Sequence, residues 1–328
     1  VLIAAEGAAA FLFKKEFPEL TILPIRGYNI TYSRQKKWLF AKMLLQVPKI
    51  LSVIKYEKKL LQNIIRQQNI DIVISDNRFG LYNKHIMSVY ITHQLFIETG
   101  NKVLNKIAQK VHYSYINKFT TCWVPDVEAT INLAGKLAHP KTLPKVPVVY
   151  IGCLSRFVFK EMPHQNDLLI LLSGPEPQRT IFENVLLKQI KEIDLNIAFV
   201  RGLPAEITQL KSENNKVKFY NHLSAVALNN LILQSKLIIS RAGYSTIMDM
   251  VALQKNAVIV ATPGQTEQAY LAKYLRAKKI FLAAEQNNFS LKQILSEAAN
   301  FSFASIKTVP NFNKQAIIDL CTKAKTNL

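Results

Sequence analysis

Ser240-Arg241-Ala242-Gly243-Tyr244-Ser245-Thr246, followed by Asp249 and then by Pro263-Gly264-Gln265-Thr266-Glu267-Gln268, is the stretch whose reading decides the fold. The apolar run Lys236-Leu237-Ile238-Ile239-Ser240 leading into it predicts a buried strand. Gly243 then lets the backbone turn tightly before Ser245 and Thr246, which can cap or open a helix. Val258-Ile259-Val260-Ala261 repeats the buried strand, and Glu267 and Gln268 open the helix that follows. Two helix N-termini therefore lie side by side at the carboxyl ends of neighbouring parallel strands, where open α/β sheets take their ligands. Free N–H groups at such termini favour phosphate oxygens. Asp249 falls about one helical turn beyond Ser245, so its carboxylate returns to the same rim and can accept hydrogen bonds from a ribose diol. Taken singly, each of these polar residues reads first as an ordinary helix cap. Their order is the signal, and it points to an anionic, polyhydroxylated ligand.

In that order, the segment from Ser240 to Ala272 resembles the donor-site signature of glycosyltransferase family 28. The family's Arg-x-Gly-x-x-Thr-x-x-Glu segment corresponds to Arg241, Gly243, Thr246 and Asp249, with Asp in place of Glu. The resemblance implies that these residues and Ser245 meet a nucleoside diphosphate, the acid holding the ribose. The family's paired glutamines, which read the donor sugar, correspond to Glu267-Gln268, just after Gln265. A carboxylate accepts hydrogen bonds where an amide also donates, so the identity of the sugar stays open. Upstream, Gly152-Cys153-Leu154-Ser155-Arg156 resembles the junction into the family's donor domain, with Arg156 as a nucleotide contact or a solvated surface arginine. Leu168-Leu169-Ile170-Leu171-Leu172-Ser173-Gly174 is a strand running into a glycine turn that resembles the first phosphate loop. Asn221-His222-Leu223 follows the strand Val217-Lys218-Phe219-Tyr220, where the family's backbone, at Leu223 here, reads the uracil edge.

The first half carries a second polar rim. Ile70 to Ser75 reads as a strand ending in Asp76-Asn77-Arg78, and Val89 to Thr92 as a strand ending in His93-Gln94. By resemblance this rim faces the donor across a cleft and takes the acceptor, and His93 and Asp76 are the candidates for a catalytic base. A satisfied strand-end histidine is the competing reading of His93. The opening Val1-Leu2-Ile3-Ala4-Ala5-Glu6-Gly7 looks like the second strand of the family's N-terminal domain. The expectation is a chain that lacks the family's histidine-bearing glycine loop, or a piece of a longer one.

Composition bounds the rest. The 328 residues suffice for two domains, and the alternation of short apolar runs with longer amphipathic ones predicts an α/β chain of two facing Rossmann-like domains, the GT-B architecture. The expected division is 1–148 on the acceptor side and 149–309 on the donor side, with 310–328 a helix crossing back to the first domain. His139 to Pro147, with three prolines, marks the boundary. Cys122, Cys153 and Cys321 lie far apart without metal-type spacing, which suggests a reduced cytoplasmic protein. No apolar run reaches the length of a membrane span.

Charge is the second clue. The net charge is +20, and the window 26–66 holds Arg26, Arg34, Lys36, Lys37, Lys42, Lys49, Lys55, Lys58, Lys59 and Arg66 against the single acid Glu57. Interleaved apolar residues fit a basic amphipathic helix on an anionic membrane surface, and equally a lysine-rich solvated face. No nucleic-acid module is present, so nucleic acid is not an expected partner. The implied activity is transfer of a hexose or N-acetylhexosamine from a nucleoside diphosphate sugar, with UDP the expected nucleotide. The acceptor is unknown and a lipid-linked one is compatible. Transfer is expected to invert the anomeric centre, with no cofactor and no metal. The alternatives are a nucleotide-sugar epimerase of the same fold and a non-catalytic sugar-nucleotide-binding subunit.

Overall fold

Short runs of aliphatic residues become strands in this chain because both faces of each parallel sheet are covered, so a strand needs no polar side. The computed structural model describes residues 1–28, 39–99, 101–129, 131–212, 214–306, 309–310 and 312–326, and within them every strand pairs in parallel. β1 (Leu2–Ala5) and β2 (Thr21–Pro24) form a small pair joined by α1 (Gly7–Glu16). β3 (Ile72–Asp76), β4 (Met87–Ile91), β5 (Thr121–Val124) and β6 (Val148–Tyr150) make a four-stranded sheet in that order. Two long helices interrupt this first half: α2 (Leu39–Gln67), with Pro48 inside it, and α3 (Lys102–Ile116).

The second half is a six-stranded sheet. Its strands are β7 (Asn166–Leu171), β8 (Ile197–Val200), β9 (Val217–Tyr220), β10 (Ser235–Arg241), β11 (Ala257–Ala261) and β12 (Leu282–Glu285), in the order β12-β11-β10-β7-β8-β9. The chain winds from β7 to β9 on one side, then returns to β10 on the other. The reversal opens a crevice between the carboxyl ends of β7 and β10, the topological switch point at which such sheets bind ligands. α4 (Gln178–Gln189), α5 (Ala225–Leu233), α6 (Tyr244–Ala252), α7 (Thr266–Ala277) and α8 (Leu291–Asn300) cover the sheet. Leu169, Ile238 and Ile259 pack into one core, while Leu168, Ile170, Ile239, Val258 and Val260 pack into another. That alternation is the strand period of two, here buried on both faces. Each fully buried Leu or Ile contributes about 1.5–3 kcal/mol of apolar transfer.

The two halves touch across the crevice. Tyr244 Oη donates to Pro125 O at 2.8 Å, Lys136 N donates to Tyr270 Oη at 2.8 Å, and Tyr274 Oη donates to Asn132 Oδ1 at 2.8 Å. α9 (Gln315–Thr326) brings Leu320 against Val89 and Trp123 of the first sheet and Ile151 beyond it. Residues 29–38 of the basic window, Arg34, Lys36 and Lys37 among them, lie outside the described residues. Among the described residues no helix is long and apolar enough to cross a membrane.

Candidate functional site

The rim of the six-stranded sheet is built by three turns. β7 runs through Leu172 to Ser173 and Gly174, whose φ of +100° is the left-handed conformation that favours glycine, and both residues are exposed. β10 ends in the turn at Gly243, which caps α6 with no side-chain hydrogen bond. Gln265 caps α7 in the same bare way. Two neighbouring helices therefore present first-turn N–H groups unclaimed by any cap, the condition for holding phosphate oxygens. Ser245 is exposed and Thr246 half-buried at the first of these termini.

Asp249 lies one turn into α6, half-buried, and accepts from Ser155 Oγ at 2.6 Å. Burial pushes its carboxyl up to about 6, against the opposing pull of the Ser155 hydrogen bond and the Arg156 charge. Ser155 thus takes one of the two carboxylate oxygens that a ribose diol would use. Arg156 is exposed and reaches Glu16 of α1 at 3.2 Å. Leu223 is half-buried beyond β9 and packs against the larger of the two cores.

Arg241 departs from the expectation. It was expected on the rim as a phosphate contact, but only 1% of it is exposed. Its Nη2 donates to Gln178 O at 2.7 Å, its guanidinium lies 4.5 Å from the Phe182 ring centre, and Nε and Nη1 have no hydrogen-bond partner among the described residues. Desolvation lowers its pKa to about 10. The reason is geometric: Arg241 is the last strand residue and its side chain points under α4, tying that helix to β10.

Gln268 and Glu267 separate in role. Gln268 Oε1 accepts from Thr262 N at 2.9 Å and so braces the turn between β11 and α7. Glu267 Oε1 lies 2.7 Å from His93 Nε2, across the crevice. The His93 ring also stacks on Tyr244, with centroids 4.3 Å apart and planes 11° apart. His93 follows β4 in the first sheet, so the structure brings the two rims into contact there.

Asp76 shares this side of the crevice. It is exposed to water, yet desolvation by its surroundings raises its carboxyl pKa, opposed by the nearby His93. Asn77, with φ +54°, accepts from Tyr90 Oη at 3.2 Å. Gln94 is half-buried and its N–H donates to Thr92 Oγ1 at 3.1 Å. Arg78, expected beside the acceptor, is instead drawn into the protein. Its Nε donates to Glu57 Oε1 at 2.7 Å, and the same fully buried Glu57 accepts from Tyr28 Oη at 2.8 Å and Gly80 N at 2.9 Å. The one acid in the basic window is thus the anchor of the arginine, which ties α2 to the loop after β3.

Sequence reasoning missed Ser155, Tyr244 and Glu57 as partners. Tyr244 stood inside the signature, yet nothing local tells a buried tyrosine that stacks on a distant histidine from one that merely fills a core. Among the described residues, no three His, Cys, Asp or Glu side chains converge on a metal-binding geometry.

Residues 180–316 match the glycosyltransferase family 28 C-terminal domain. The chain is similar to the UDP-N-acetylglucosamine--N-acetylmuramyl-(pentapeptide) pyrophosphoryl-undecaprenol N-acetylglucosamine transferase of Sulfurihydrogenibium sp. (strain YO3AOP1), with 22% identity over 225 residues, 66% of this chain and 62% of that protein. The match therefore spans less than two thirds of the relative's length. Among solved structures, MurG of Acinetobacter baumannii superposes with a TM-score of 0.55 at 15% identity, covering 98% of this chain and 90% of its own. The glycosyltransferase SnogD of Streptomyces nogalater does so with a TM-score of 0.58 at 14% identity, covering 98% and 90%. The resemblance to family 28 read in the sequence is thus shown, and the fold is that of the GT-B glycosyltransferases, two facing Rossmann-like units.

Proposed function

We propose that this chain, whose residues 180–316 carry a family 28 C-terminal domain, moves a hexose or N-acetylhexosamine from a UDP-sugar to an acceptor hydroxyl. One observation carries the reading: α6, bare at its N-terminus and carrying Asp249 one turn in, follows β10 at the switch point, while α7, equally bare, follows the adjacent β11 and meets His93 of the opposite half through Glu267. The diphosphate lies on the helix termini, the ribose on Asp249, and the sugar toward Glu267 and Gln268. Ser173, Gly174, Arg156 and the Leu223 backbone line the same nucleotide. Residues 1–148 form the acceptor half, 149–309 the donor half, and 310–328 the strap back to the first. Single displacement between opposed rims inverts the anomeric centre. The helix termini supply the stabilisation of the departing diphosphate, so the reaction needs no metal.

The acceptor is read as lipid-linked, and the first half as its membrane-facing side. Val103, Ile107 and Val111 are exposed along one face of α3 beside Lys102, Lys106 and Lys110, and Leu45, Val47 and Leu51 are exposed on α2 near Lys55, Lys58 and Lys59. Apolar residues flanked by lysines suit an anionic headgroup layer, on the inner face of the cell membrane in this reading. The test is calorimetric titration with UDP, then release of UDP from UDP-N-acetylglucosamine in the presence of polyprenyl-linked and free-sugar acceptors, with and without a chelator. Absence of UDP binding sinks the proposal.

A further inference from the structure

The His93 imidazole is held by the Glu267 carboxylate from the other side of the cleft, 174 positions away in the chain. Resting on the transfer reading above, we infer that His93 is the base that deprotonates the acceptor hydroxyl and that Glu267 is its positioning residue rather than a reader of the donor sugar.

The argument starts from the hydrogen bond. A carboxylate only accepts, so the proton of the neutral ring belongs on Nε2, 2.7 Å from Glu267 Oε1, and Nδ1 keeps the lone pair. Stacking on Tyr244 holds the ring plane, and Tyr244 is itself held by its bond to Pro125 O. His93 is thereby fixed in tautomer and in orientation, as an oriented base must be. Tyr244 is the first residue of α6, so the ring rests against the terminus that receives the diphosphate in our reading. Because the base comes from the first sheet and its orienting group from the second, the pair exists only when the crevice is closed.

In the step itself the acceptor oxygen forms a bond to the anomeric carbon while its proton passes to His93 Nδ1. The bond from that carbon to the diphosphate oxygen breaks, and its electron pair leaves with UDP. The imidazolium so formed faces the Glu267 carboxylate, which offsets its charge. The titratable groups around the ring are Asp76 from the end of β3, Tyr244 from α6 and Glu267 from α7.

The experiment compares kcat and KM for the unaltered chain, His93→Ala, Glu267→Gln and Glu267→Ala, with UDP affinity of each variant measured to verify the donor site. His93→Ala is expected to lower kcat by about 10²–10⁴-fold. Glu267→Gln keeps an accepting oxygen but removes the charge that offsets the imidazolium, so kcat is expected to fall, though less than in Glu267→Ala, with KM for the donor within about twofold. Glu267→Ala is expected to lower kcat more than tenfold. A Glu267→Gln kcat equal to that of the unaltered chain, or a loss carried by donor KM instead of kcat, overturns the inference and returns Glu267 to sugar reading. Should the unaltered chain turn over no donor, the transfer reading fails and the catalytic role with it. The orientation is then judged separately by nitrogen NMR of His93, where protonation of Nδ1 instead of Nε2 refutes it.

Discussion

Replacing Asp249 by Asn should separate the pH dependence of UDP binding from that of the ligand itself. The Asp249 carboxyl titrates at about 6 in the folded chain, raised by burial from 3.8. If two ribose hydroxyls donate to the ionised form, the competent fraction is about nine-tenths at pH 7 and about one-tenth at pH 5. UDP affinity should then fall about tenfold over that interval, or about 1.4 kcal/mol, through Asp249 alone. The diphosphate also titrates near pH 6, so the Asp249→Asn variant supplies the reference: it shares the phosphate contribution and lacks the other. At pH 7 the variant should bind UDP about 1.5–3 kcal/mol more weakly, the range for a hydrogen bond to a charged group. Stability moves the opposite way. A carboxyl with a raised folded pKa contributes stability below its unfolded pKa and loses it as pH rises through 6, so the ionised aspartate costs the unliganded fold on the order of 2–3 kcal/mol at neutral pH. Asp249→Asn should therefore bind less and melt higher. Isothermal calorimetry at pH 5, 6 and 7, with urea unfolding at the same values, measures both. Identical pH dependence of UDP affinity in the two proteins would refute the reasoning and remove Asp249 from the ribose site.

The other expectations concern the scaffold and the surface. Glu57→Ala should cost about 3–5 kcal/mol in urea unfolding, because Arg78 and Tyr28 would lose a fully buried partner; a change under about 1 kcal/mol would show the network to be dispensable. His112 is buried against Phe79 and Tyr90, and desolvation lowers its pKa to about 4, so acid stability should be lost as pH falls from about 6.5 toward 4. The loss at pH 5 is about 2 kcal/mol, and His112→Phe should remove it; equal acid lability in the variant would assign the effect elsewhere. Gln268→Ala should weaken the intact UDP-sugar more than UDP, and equal losses for both would mean that its bond to Thr262 N matters only for the turn. Sedimentation with anionic liposomes should be salt-sensitive and weakened when Lys36, Lys37, Lys58 and Lys59 become Glu, at on the order of 1 kcal/mol per residue. Failure to bind any lipid mixture at low salt would favour a soluble acceptor.

The strands at Leu168, Ile238 and Val258, the turn at Gly243 and the placement of Asp249 one turn later were all legible from residues a few positions apart. Strand burial, tight turns and helix starts are local physics: an apolar run, a glycine and a capping-type residue act on their immediate neighbours. The resemblance to family 28 was carried by the same short stretch, which is why the donor rim could be drawn before any packing was known. Tertiary structure decided what the local pattern leaves free. Arg241 belongs to the signature, yet it points under α4 because the order of strands places Phe182 and Gln178 there. Arg78 reads as a rim residue until Glu57, 21 positions earlier, claims it through the docking of α2. Ser155 meets Asp249 over 94 positions because the segment entering the second sheet folds back on α6, and His93 meets Glu267 over 174 because one half closes over the other. Such pairs leave no periodic or spacing signal. They arise from the packed surfaces between the sheets, where burial sets which polar groups must find each other.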